Sequence, residues 1–193
     1  ASSKLPFTVT SRASLPKLSG AITVAGITQN VRDFLTQQGA QLHDYAPGEE
    51  IARETIVVGR DFKGKASDWR ALYARAARGA HIVFLSPDIF HSDKVQNKWL
   101  PLAAKGDQNG APDWLYHKDV VAKINHPIFA GLQTKLMSPE YYGMLLGNTH
   151  YFQGTTLPPD IAAGALYSSL TAQYTFQDGF MLGTYPFHAG HFT

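Results

Sequence analysis

The sequence predicts a doubly wound α/β domain, a mostly parallel sheet with helices on both faces. Three observations lead there. Short continuous apolar runs at residues 21–25 (AITVA), 55–58 (TIVV) and 81–85 (HIVFL) have the character of strands buried on both sides. Two stretches with apolar side chains at helical spacing lie between them, at residues 30–38 and 67–78. Buried strands alternating with amphipathic helices indicate crossover connections and a parallel sheet.

Taken in order, residues 1–19 are rich in Ser, Thr, Lys and Pro and read as a linker or lead-in. Residues 20–193 then read as one domain, long enough for a single core. The first strand ends at Gly26. Asn30 is placed to cap a helix, with Asp33 favouring its positive end and Val31, Phe34 and Leu35 as its apolar stripe. Gly39 ends it. Residues 41–45 form a strand before the Pro47-Gly48 turn. Ser67 begins a second helix that turns Trp69, Leu72, Tyr73 and Ala76 inward and Arg70, Arg75 and Arg78 outward, and Gly79 stops it.

The second half is less regular. Residues 94–104 suit a helix interrupted by Pro101, and residues 105–112 a polar loop. Residues 120–123, 161–167 and 179–185 are the remaining strand candidates.

Composition removes several functions. Seventeen Lys and Arg against fifteen Asp and Glu leave a net charge of +2, which gives no electrostatic reason to expect nucleic acid or an anionic membrane. No apolar run approaches the ~20 residues of a spanning helix. There is no cysteine, so disulfides, thiolate metal sites and cysteine nucleophiles are excluded. That leaves the compartment open.

Ligands of open parallel sheets gather at the strand carboxyl ends. Arg60, Asp61, Ser86 and Asp88 fall there and are the candidate ligand-binding residues; they serve equally as caps and ion pairs. Between Gly59 and Ala66 the sequence reads GRDFKGKA, close to a phosphate-binding loop, but Ala66 stands where the Mg²⁺-binding hydroxyl belongs. Ser86 lies where a strand-to-helix nucleophile would lie, yet Phe84 and Asp88 replace the glycines of that turn. His117, Asp119 and His126 converge only if the fold brings them together. His188 and His191 sit three apart across Gly190, outside any helical metal motif. No metal or other cofactor is expected. Glu49, Glu50, Glu54 and Glu140 lack a spacing diagnostic of glycosidase chemistry. Trp99, Trp114, Tyr116, Tyr141, Tyr142 and Tyr151 suit sugar stacking, a core or an interface.

The segments TIVVGRDF, SDWRALYARAARGAHIVFLSPDIF, NKWLPLAAKG, WLYHKDVVAKINHPIFAGL and GFMLGTYPFHAGHF resemble the glutamine-amidotransferase-like α/β domain attached to bacterial β-galactosidase-type (family 2-like) glycoside hydrolases. They are more distantly similar to trehalose-utilisation (ThuA-like) proteins, whose H-P-I-x-x-G-L segment is matched from His126 to Leu132. The resemblance implies a flavodoxin-like sandwich in a secreted or periplasmic setting, with a last strand that continues past Thr193. It carries over no amidotransferase chemistry. The thiol is missing, and Ala189-Gly190 follows His188 where Pro-Glu is expected.

The sequence therefore points to an accessory domain: docking, oligomerisation or carbohydrate contact in a glycoside hydrolase system. Its expected partners are other domains of a larger hydrolase or further copies of itself. The alternative is a stand-alone sugar-processing hydrolase using Asp61, Asp88, His117 or His126. Nucleotide binding at residues 59–66 is a third reading.

Overall fold

A computed structural model describes residues 15–48, 53–92, 94–110, 119–122, 125–130, 150–168 and 176–193. His117, Trp114, Tyr116, Tyr141 and Tyr142 lie outside the described residues. The first half runs β1 (Ala21–Ala25), α1 (Gln29–Gln37), β2 (Gln41–Asp44), β3 (Thr55–Val58), α2 (Ala66–Ala77) and β4 (His81–Phe84). These four strands stand in the order β2-β1-β3-β4, all parallel. A 3-10 turn, Pro87–Phe90, follows β4.

The second half is antiparallel. It consists of β5 (Lys105–Gly110), β6 (Asp119–Ala122), β7 (His150–Thr155), β8 (Asp160–Ser168), β9 (Phe176–Phe187) and β10 (Gly190–Phe192), with a 3-10 turn at Pro127–Phe129. Pairing of β5 with β7, β7 with β9, β8 with β9 and β6 with β8 is antiparallel throughout. β10 joins the halves: it lies parallel to β4 and antiparallel to β9.

The expected doubly wound, mostly parallel sheet with helices on both faces is overturned. Among the described residues two α-helices accompany a mixed ten-stranded sheet. The physical reason lies after α2. Parallel neighbours need a long crossover, normally a helix, whereas antiparallel neighbours need only a turn. Downstream of Ala77 the chain offers Gly, Asn and Pro turns between runs rich in β-branched and aromatic residues. The stretch at 94–104 is not helical, because Asn97 takes a left-handed backbone (φ +56°) that breaks any helix there. Residues 105–110, expected as a loop, are a strand.

Local details also shift. α1 starts at Gln29 after Thr28, so Asn30 is inside the helix and not its cap, and Phe34 is exposed at 42 %. α2 starts at Ala66, and Asp68 closes its first turn by accepting from the Lys65 backbone N–H at 2.8 Å. Trp69, Leu72 and Ala76 are buried as their spacing requires. Arg75 is buried too, against expectation.

The core forms where α2 covers β3, β4 and β10. Ile56, Val58, Ile82 and Phe192 are buried there with Trp69 and Leu72. Trp69 packs on Phe62, Tyr73, Phe84, Phe90 and Trp99 at centroid distances of 5.3–6.2 Å. Rings continue the core into the antiparallel half through Phe90–Phe152, Phe152–Phe180 and Phe180–Tyr185, and return through Tyr185–Phe192.

Candidate functional site at the strand carboxyl ends

In the order β2-β1-β3-β4 the chain departs in opposite directions from β1 and β3, and a ligand crevice belongs between their carboxyl ends. Here main chain fills that place. The Gly59 N–H donates to the Ala25 carbonyl at 2.8 Å, and the Asp61 N–H to the Gly26 carbonyl at 3.0 Å. Gly26 has a φ of +59°, and a Cβ on it would lie 2.1 Å from the Phe62 nitrogen. A Cβ on Gly59 would lie 2.4 Å from the Gly26 oxygen. Two glycines therefore let the loops after β1 and β3 touch backbone to backbone. Phe62 seals the contact from the side, edge-on to Tyr45 and Trp69.

The predicted polar residues surround this plug without meeting over it. Arg60 and Asp61 are 3.9 Å apart with side chains 71 % and 60 % exposed, a solvated pair that water screens strongly. The Ser86 hydroxyl accepts from the Asp88 N–H at 3.4 Å and caps the Pro87–Phe90 turn. The nearby His91 ring faces the Asp88 carbonyl. Asp88 itself is exposed.

The loop resembling a phosphate cradle has several of its amides engaged. Asp61 N–H donates to Gly26, Phe62 N–H to Gly59, and Lys65 N–H to Asp68. The Asp68 carboxylate occupies the positive end of α2, where a phosphate would have to sit.

His126 belongs to the antiparallel half. Its Nδ1 accepts from the Ile128 N–H at 3.2 Å, which places the ring proton on Nε2, 2.8 Å from an Asp160 carboxylate oxygen. Both ring nitrogens are thus engaged, and the residue ties the Pro127–Phe129 turn to the start of β8.

Trp99 stacks on Trp69, with Lys98 Nζ 4.7 Å from its centroid, and it packs against the core. The Tyr73 hydroxyl donates to the Trp99 carbonyl at 2.8 Å, and burial raises its pKa.

Two groupings escaped the sequence reading. Beneath α2, Arg75 donates to Glu54 at 2.9 Å and to the Ala46 carbonyl at 2.5 Å, while Thr23 donates to the other Glu54 oxygen at 2.6 Å. The guanidinium also lies over the Tyr45 ring. One signal was present: Arg75 follows Leu72 by three, on the edge of the apolar stripe. The second grouping is His81 on β4 with His191 on β10, ring centroids 3.9 Å apart and planes tilted by 33°. Only the β4–β10 pairing brings them together, and no local pattern announces it. Among the described residues no three His, Asp or Glu side chains gather as metal ligands. Nor, among those residues, is any helix long and apolar enough to cross a membrane.

No family model, curated protein or solved structure matches this chain.

Proposed function

We propose that the chain is a non-catalytic accessory domain of a glycoside hydrolase system, acting by docking, oligomerisation or carbohydrate contact. The main-chain plug between β1 and β3 carries this reading. Gly26, Gly59 and Phe62 take up the space in which an open-sheet enzyme holds its substrate. The polar side chains around it have structural partners or face water: Ser86 caps a turn, and Arg60 and Asp61 are solvated. In the segment that follows β4, Leu85 and Val95 are 49 % and 51 % exposed, apolar side chains of the kind a docking contact covers. The partner's class, a β-galactosidase-type catalytic domain, comes from the sequence likeness alone.

The stand-alone hydrolase would need two or more of Asp61, Asp88, His117 and His126 around one cleft. Asp61 and Asp88 face water, His126 is engaged by Asp160 and the Ile128 N–H, and His117 lies outside the described residues.

The test assays the chain on aryl glycosides and sediments it alone and with a β-galactosidase-type catalytic domain. No turnover is expected, together with self-association or a complex that Leu85→Asp with Val95→Asp weakens about tenfold or more. Turnover by the isolated chain overturns the reading. So does a monomer that ignores both the catalytic domain and added oligosaccharides.

A further inference from the structure

The parallel and antiparallel halves meet at a narrow seam. β10 is three residues long, and only His191 and Phe192 pair with β4, opposite His81 and Ile82. The seam's main-chain bonds run from His191 N–H to Ala80 O at 3.2 Å, from Thr193 N–H to Ile82 O at 2.9 Å and from Phe84 N–H to Thr193 O at 2.8 Å. One of its two side-chain rows is Thr55, His81, His191 and Pro186, read straight across β3, β4, β10 and β9. Because Ile82, Phe84 and Phe192 face α2, this row lies on the opposite face of the sheet.

We infer that the His81–His191 contact is an acid-sensitive clasp: it holds β10 on β4 while His81 is uncharged and releases the seam when His81 is protonated. A charge on His81 would sit half-buried against the His191 ring, at a centroid separation of 3.9 Å, where it is poorly hydrated. His81 Nε2 lies 3.0 Å from the Thr193 hydroxyl, itself 2.9 Å from that of Thr184. The side chains of Thr55, Thr184, Pro186 and Thr193 line the pair and carry no charge, and Asp160, opposite Thr184 on β8, is engaged by His126. Glu54, beside Thr55, turns its carboxylate to Arg75 and Thr23. On α1, which packs along β2, Arg32 is engaged with Asp44 and Asp33 with Gln29. His188 in the turn before β10 packs on Phe187.

Burial, and next the His191 ring, lower the pKa of His81 to about 4. An opened seam restores the ordinary value near 6.5. Between about pH 4 and about pH 6.5 the open form therefore binds a proton that the closed form refuses. The clasp is complete above this window and weakens as pH falls through it.

The experiment follows amide exchange and imidazole resonances in the full chain between about pH 7.5 and about pH 4.5. The β10 amides should lose protection, relative to Val24 and Val57 in the same molecule, by about tenfold or more in acid. In His81→Gln this selective loss should disappear. Equal pH dependence of β10 and β1, or an unchanged selective loss in His81→Gln, overturns the proposal. Should that variant fail to fold, the wild-type His81 resonance decides. A midpoint below about 5 supports the clasp, and one at or above about 6 ends it.

Discussion

Arg75 and Glu54 have side chains only 1 % and 5 % exposed, and their pairing defines what a single residue can do in this molecule. Neither charge has access to water, so each depends on the other. Arg75→Leu leaves the Glu54 carboxylate, among the described residues, with the Thr23 hydroxyl alone and should destabilise the chain by about 3–5 kcal/mol in urea unfolding. Arg75→Leu combined with Glu54→Leu removes both charges and should recover much of that loss. If the double variant proves as unstable as the single one, the cost lies in packing and the ion pair is incidental. The same residue marks a limit of sequence reading. Arg75 stands on the border of the α2 stripe, and periodicity cannot say that a carboxylate from the start of β3 waits beneath it. Ser86, Asp61 and His126 were legible as polar residues near strand or turn ends. The roles of Ser86 and His126 depend on which groups the fold delivers: a backbone amide for Ser86, a backbone amide and a side-chain carboxylate for His126.

At the scale of elements, the parallel strands and both helices announce themselves because burial on both faces and a one-sided helix leave patterns in the chain. β5 leaves none. Its sequence, KGDQNG, is polar, and it is held by pairing with β7 and by side chains reaching in from the preceding loop. Asn97, fully buried, donates to the carbonyls of Lys105 and Gly106 at 3.0 Å each, and Gln108 bridges Asn97 to the Pro87 carbonyl. One buried amide thus ties the loop after β4 to the first antiparallel strand. Asn97→Ala loses those bonds and strains the left-handed backbone, which should cost about 2–4 kcal/mol in urea unfolding. Asn97→Gly relieves the strain but not the lost bonds, so it should fall about 1 kcal/mol short of the alanine variant. Alanine and glycine variants of wild-type stability would show that the loop does not depend on this residue.

Across the whole molecule, the mixed sheet could behave as two folding units or as one. Among the described residues few main-chain bonds join the halves at β10, which favours two. The aromatic core argues the other way, because it is closed into a ring of contacts. Phe90 touches Phe152, Phe152 stacks on Phe180 at 5.1 Å, Tyr185 stacks on Phe192 at 5.0 Å, and Phe192 meets Phe84 beside Trp69. Removing either half would strip apolar surface from the other. Burial of several large side chains at ~1.5–3 kcal/mol each outweighs the few main-chain bonds of the seam, which contribute about 1 kcal/mol apiece. The chain should therefore unfold at neutral pH in one transition. Tryptophan emission of a Trp114→Phe variant, which then reports on Trp69 and Trp99 of the first half, should coincide with loss of far-ultraviolet sheet signal. Phe180→Ala, made in the antiparallel half, should lower both midpoints together by about 3–5 kcal/mol of stability. Two separated transitions at neutral pH, or a Phe180→Ala effect confined to the sheet signal, would mean that the core does not couple the halves. Acid then becomes the informative variable. The His81–His191 clasp lies on the face away from this core, so its protonation should loosen β10 before the aromatic ring of contacts yields.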